Sequence, residues 1–290
     1  SDFESMLNDP QADASNHIYV HARDTLYVFS SRGRLLRQVP RSQTGLSDTP
    51  IDIRLLADGR LLLAEQQPAV IRLCQPETWV CSRIATGLLP ELRWQYKVLV
   101  DEAQQRLLVM DTATGILWQW PLEPGKRGSV LIHKGILKRP NDILLDAGEY
   151  LWLADSGHRR LVAYSLAGAI QGDPDIKLKA NNRYMRDQHD RPMMLAMSAA
   201  GELWVVQPDA MGKGADLLVY APDKGATARI ELPDDAYPTD IVRLGDSMLV
   251  TDMDQFRLYA INTQTHAVNS FGDSAFERIM QRDRQARQHY

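Results

Sequence analysis

The sequence predicts an all-β fold: a six-bladed β-propeller of four-stranded antiparallel blades, followed by a short C-terminal helix. Three observations carry this expectation. A proline-led strand recurs as Pro50-Ile51-Asp52-Ile53, Pro140-Asn141-Asp142-Ile143 and Pro238-Thr239-Asp240-Ile241. Eleven residues after each proline comes a second apolar run: Leu61-Leu62-Leu63-Ala64, Leu151-Trp152-Leu153-Ala154 and Leu249-Val250-Thr251. Units starting at 50, 95, 140, 192 and 238 are spaced 45, 45, 52 and 46 residues apart, the period of one propeller blade. A lone four-stranded sheet cannot bury both faces, so such units must stack until the ring closes.

In chain order, the first unit is worn, near residue 7. Ile18-Tyr19-Val20 aligns with the second strands, and counting back eleven residues puts Leu7-Asn8-Asp9 over Pro140-Asn141-Asp142. Pro10 replaces an apolar residue there and has no N–H for a ladder, so a frayed or irregular inner strand is expected. Whether blade one closes with its own N-terminal strand stays open. Blade two is complete, with strands at 51 to 57, 60 to 66, 69 to 75 and 79 to 85 and turns at Asp58-Gly59 and Gln75-Pro76-Glu77-Thr78. Such short hairpins imply a meander. Blade three pairs Gln95-Tyr96-Lys97-Val98 with Leu107-Leu108-Val109-Met110, one residue longer. Blade four is followed by a polar stretch, 168 to 191, which reads as elongated loops. Blade five runs Pro192-Met193-Met194-Leu195 then Leu203-Trp204-Val205-Val206, and blade six starts at Pro238. Trp152 and Trp204 share the second-strand position of Tyr19, Leu62, Leu108 and Leu249, which marks packing between blades. Residues 1–273 therefore form one propeller. In 274–290 the spacing of Phe276, Ile279 and Met280 predicts a helix, either capping the propeller edge or leading into a juxtamembrane stalk.

Of 290 residues, 44% are hydrophobic and 24% charged, the composition of a folded globular protein. About three quarters of the unfolded surface can be buried at this size, so the core needs no staples. Lysine plus arginine is 33 against 37 for aspartate plus glutamate, a formal net charge of −4. That balance gives no general pull toward nucleic acid or an anionic membrane, and a basic stripe interleaved with stacking aromatics is missing. Nucleic-acid binding is not expected. No run approaches the roughly 20 apolar residues of a membrane span, and the opening Ser1-Asp2-Phe3-Glu4 lacks the regions of a signal peptide. A soluble chain is expected, with room for an anchor outside it.

Cys74 and Cys81 flank a turn centred on Glu77-Thr78. In a symmetric hairpin they face each other, at about 4.5 Å between Cα atoms for a non-hydrogen-bonded pair, within disulfide reach. Closing so short a loop contributes roughly 2.5 kcal/mol. The alternative is two reduced, half-buried thiols. A persistent bridge points to a periplasmic or extracellular location.

Blade four, from Arg139-Pro140-Asn141-Asp142 through Ala154-Asp155-Ser156-Gly157-His158-Arg159-Arg160-Leu161, resembles the NHL repeat. The shared features are a proline-led strand, a glycine turn, a second strand ending in aspartate and a His-Arg step into the third. The same stretch is similar to the gluconolactonase and senescence-marker-protein family. That resemblance implies a calcium-dependent six-bladed hydrolase whose metal is held near the channel by one glutamate, two asparagines and one aspartate. Asn141 matches one asparagine. Met193 stands where the second is expected, Asp240 takes the aspartate place in a different context, and no glutamate occupies the early position. The metal pair it implies is Asn141 and Asp240, with Asp142 or Asp155 as acid-base groups.

In an antiparallel meander, the start of strand one and the end of strand two share one end of the blade. Asp52, Asp142 and Asp240 therefore meet Glu65, Asp111, Asp155 and Asp252 around one channel mouth, with Lys97 as a cation among them. Such an acidic ring suits a cation or a basic ligand; equally, a repeated aspartate caps turns through backbone N–H groups. The loops opening on that face vary most, and they carry Arg183, Arg186 and Lys213. Variable loops on a rigid scaffold are where binding resides. The candidate ligand-binding set is Asp52, Lys97, Asp142, His158, Arg183, Arg186, Lys213 and Asp240. No nucleophile elbow appears, and Asp155, Ser156 and His158 lie too close in one loop for a triad. The leading expectation is an exported, non-catalytic propeller that takes a protein or small ligand on this loop-rich face. The alternative is the calcium-dependent lactonase.

Overall fold

The computed structural model describes residues 8–12, 17–22, 24–46, 50–66, 69–84, 96–123, 126–146, 150–166, 192–208, 214–221, 224–233, 236–252 and 257–287. Their strands form six antiparallel sheets, each built from consecutive chain and ordered from channel to rim. Blade one holds β1 (Asn8–Ala12), β2 (Ile18–Ala22), β3 (Thr25–Phe29) and β4 (Leu35–Pro40), followed by a single helical turn, α1 (Arg41–Thr44). Blade two holds β5 (Pro50–Leu55), β6 (Leu61–Gln66), β7 (Ala69–Cys74) and β8 (Cys81–Ile84). Blade three holds β9 (Tyr96–Asp101), β10 (Arg106–Asp111), β11 (Leu117–Pro121) and β12 (Ser129–Ile132). Blade four shows β13 (Ile143–Leu145), β14 (Tyr150–Asp155) and β15 (Arg160–Ser165); its fourth strand and the loops expected over 168 to 191 fall outside the described residues. Blade five holds β16 (Met194–Met197), β17 (Leu203–Pro208), β18 (Ala215–Ala221) and β19 (Gly225–Glu231). Blade six holds β20 (Pro238–Leu244), β21 (Ser247–Asp252), β22 (Arg257–Asn262) and β23 (Val268–Phe271), and α2 (Ser274–Arg287) follows.

The buried side chains divide into six clusters, one at each seam between neighbouring blades. Strand periodicity produces this division, because successive side chains point to opposite faces of a sheet. Leu61 and Leu63 of β6 enter the seam with blade one, while Leu62 and Ala64 enter the seam with blade three. Trp152 and Trp204 occupy the position of Leu62 and project into the next blade's seam. A one-residue slip would exchange the two seams' side chains, Leu61 and Leu63 for Leu62 and Ala64, so the register is held by the fit of each seam and not by polarity.

Blade one closes with its own inner strand. Asn8 opposes His21 and Gln11 opposes Tyr19, with a register irregularity between Asn8 and Gln11 where Pro10 interrupts the ladder. The ring is joined by packing: Ile18, Val20, Tyr27 and Phe29 of blade one meet Leu249 and Leu258 of blade six, with Phe276 of α2 inserted. Phe276 stands edge-on to Phe29 and Tyr27, with ring centroids 4.8 and 5.5 Å away. Leu35 N donates to Asp273 Oδ2 at 2.9 Å, across the same seam. Gly33, at φ +79°, lies so close to Gly272 that a Cβ would come within 2.9 Å of its nitrogen, so a side chain there would open the join.

Candidate functional site

The acidic residues of the channel turn inward. Asp52, Glu65, Asp111, Asp142, Asp155, Asp240 and Asp252 are each no more than 5% exposed. Asp52 Oδ1 accepts from Ile53 N, and its Oδ2 accepts from Val98 N of the next blade at 2.6 Å. Asp142 repeats the arrangement, with Ile143 N on Oδ1 and Leu195 N of blade five on Oδ2 at 2.8 Å. The aspartate of the proline-led strand thus ties its own inner strand to the next one. These are charge-assisted bonds made where water is excluded.

Asp240 occupies the same place in blade six, facing β1, yet its Oδ2 is buried without a hydrogen-bond partner. Register explains the difference. Gln11 opposes Tyr19 as Arg54 opposes Leu62, so the residue matching Ile53 and Val98 is Pro10, which has no N–H to donate.

The carboxylates that end strand two hold the loops. Asp155 accepts from Lys138 N on Oδ1 and from both His158 Nδ1 (2.8 Å) and Arg160 Nε (2.7 Å) on Oδ2. His158 is thereby pinned to the loop after β14, with its ring 40% exposed. Ser156 Oγ donates to Pro192 O, so it is not presented to the histidine as a nucleophile. Asp111 caps the turn at Ala113 and Thr114, and Asp252 accepts from Tyr237 N and Tyr259 Oη. Burial, with Asp252 beside it, pushes the Tyr259 phenol up to about 12. Burial also raises Tyr96, whose hydroxyl donates to Glu65 O. Both phenols remain neutral donors at ordinary pH. Glu65 is paired with Arg72, and Lys97 is half-buried opposite Met110. Arg183, Arg186 and Lys213 lie outside the described residues.

The sequence resemblance implied calcium at this end, and the side chains present do not suit it. Asn141 Nδ2 points at Met193 Sδ, 2.6 Å away, so a thioether fills a place where a hard cation needs oxygen. The space among the carboxylates already contains a positive charge. Arg54 reaches into the channel, donates through Nε to Val98 O at 2.8 Å, and brings Nη2 to 3.5 Å from Asp52 and 4.0 Å from Asp142. A dication there would meet a guanidinium.

A receptive surface lies at the other end of the channel, where the inner strands finish. A cavity of about 620 Å³ opens there, lined by residues of blades two to six, within the usual range for small-molecule sites. Its walls are the terminal side chains of the inner strands: Leu55, Leu99 and Val100, Leu144 and Leu145, Met197 and Val242, all half-buried. Arg54 forms the floor and Arg243 stands among the wall residues. Charged and turn residues drew attention away from this mouth in the sequence, whereas its signal was the apolar pair closing the inner strands of blades three to five, Leu99-Val100, Leu144-Leu145 and Ala196-Met197.

No family model and no curated protein matches the chain. Solved structures share its fold. A chain of a nidogen/laminin complex superposes with a TM-score of 0.68 at 13% identity, covering 90% of this chain and 94% of that one. A putative gluconolactonase gives 0.67 at 14%, over 94% and 92%. The calcium-binding protein regucalcin from Agrobacterium tumefaciens gives 0.62 at 18%, over 85% and 82%. At these identities the likeness establishes the propeller and nothing about activity.

Proposed function

We propose that this protein is a non-catalytic binding propeller that takes a small ligand into the cavity at the strand-end mouth of its channel. The observation that carries this reading is the half-buried apolar lining of that cavity. Apolar side chains left partly open in a concave site are what an apolar ligand body covers. The loop-rich face remains a second place for a partner, but its loop cations Arg183, Arg186 and Lys213 are not among the described residues. A lactonase reading would start from the gluconolactonase-like fold and from the orphaned Asp240 oxygen. Arg54 and Met193 stand against it.

Export is part of the proposal. Cys74 and Cys81 oppose each other in the β7–β8 ladder and their sulfurs are bonded, which supports an oxidising compartment.

The test is calorimetric titration of the full chain with decanol, a neutral apolar probe. One saturable site is expected, lost in Val100→Trp, which fills the cavity from a half-buried position. Absence of a saturable site, or binding indifferent to Val100→Trp, would overturn the assignment.

A further inference from the structure

We infer that the ligand is a small amphipathic anion, with an alkyl or aryl body on the apolar walls and a carboxylate held by Arg243. This rests on the reading of the cavity as the binding site.

Two levels of inner-strand residues line the mouth, and each is broken by one arginine. At the deeper level, Leu99, Leu144, Ala196 and Val242 match Arg54 in register; at the outer level, Leu55, Val100, Leu145 and Met197 match Arg243. The two arginines are in different states. Arg54 is turned down among Asp52, Asp142 and Val98 O, so its charge is answered from within. Arg243 is exposed and makes no side-chain hydrogen bond or ion pair among the described residues.

The two acids lining the mouth, Glu102 and Asp146, make no ion pair with Arg243, and both hold neighbouring backbone or ring N–H groups. Glu102 Oε1 accepts from Ala57 N at 2.9 Å. Asp146 accepts from Tyr150 N on Oδ1 at 3.0 Å and from Trp152 Nε1 on Oδ2 at 2.8 Å. These acids come from blades three and four, while Arg243 comes from blade six, across the ring. What the mouth offers is therefore an apolar wall with one unanswered guanidinium at its outer level. A planar fork with five donors suits a carboxylate, and the methylene walls suit a chain behind it.

The experiment compares decanoate, decanol and decylammonium, equal in chain and different in charge, by calorimetry on the full chain at low salt. Decanoate is expected to bind about tenfold tighter than decanol, as a charge-assisted contact at a partly open site allows, and decylammonium more weakly than either. Within Arg243→Met, decanoate and decanol should bind equally, so that the advantage of the anion is erased, while Arg243→Lys keeps part of it. Added salt should weaken decanoate alone. Equal binding of decanoate and decanol by the native chain, or a decanoate preference that survives Arg243→Met, overturns the anion assignment and leaves the cavity reading standing. Failure of all three probes overturns the cavity reading itself.

Discussion

Asp52, Asp142 and Asp240 share one sequence position but not one role. The first two each give an oxygen to an N–H of the next blade, and the third faces Pro10 and receives nothing. Hydrogen bonds to charged groups contribute about 1.5–3 kcal/mol each, and a buried carboxylate oxygen without a donor is a cost. Asp52→Asn and Asp142→Asn should therefore lose about 2 kcal/mol in urea unfolding, while Asp240→Asn stays within about 0.5 kcal/mol of the native chain. Equal losses at all three would contradict this account of the orphaned oxygen. The recurrence of the aspartate was legible in the sequence, but its destination was not. An aspartate that caps a turn, binds a cation or bridges two strands leaves the same letter after a proline, and only the neighbouring strand's N–H distinguishes them. The same holds for Arg54, whose position in the repeat gives no sign that its guanidinium turns toward Asp52 and Asp142.

The strands were the most legible elements, since turn residues and apolar runs recur with the blade period. Two details escaped. The common offset of eleven puts Leu249 over Leu61, yet Met248 opposes Arg243 where Leu61 opposes Leu55, so Leu249 stands at the place of Leu62, as its packing position beside Trp152 and Trp204 implies. The tight Gly245-Asp246 turn shortens the hairpin by one residue. The spacing of Phe276 and Ile279 announced α2, but not that it would sit on the join between blades six and one. There Asp273 receives the N–H groups of Phe276, Ala275 and Leu35, and these bonds hold its carboxyl below the ordinary range, the Phe276 N–H most strongly. A carboxyl with a depressed folded-state pKa stabilises the fold above its unfolded value, and that stabilisation is lost as pH falls through the folded value. The join should thus loosen as pH drops below about 4. Melting temperatures of the native chain and Asp273→Asn, compared between neutral pH and pH of about 3, should converge on acidification. A constant gap between them would show that Asp273 does not hold the closure.

Across the whole molecule, the six-seam core and the channel follow from one requirement: each blade's two apolar faces must be covered by its neighbours. That requirement was legible because it leaves a period in the sequence. The function of the channel was less so, because it depends on which end of each inner strand stays open. The carboxylates gather at one end and, Asp240 Oδ2 apart, are engaged by N–H groups, hydroxyls and arginines. The apolar strand ends gather at the other and remain half-open around a cavity of about 620 Å³. The measurement that separates the two ends most directly is a paired calorimetric titration of metal-stripped full chain, with calcium in one cell and decanol in the other. The structure predicts one saturable decanol site and no saturable calcium heat. A saturable calcium site lost in both Asn141→Ala and Asp240→Ala, with no decanol binding, would contradict it and return the chemistry to the acidic end.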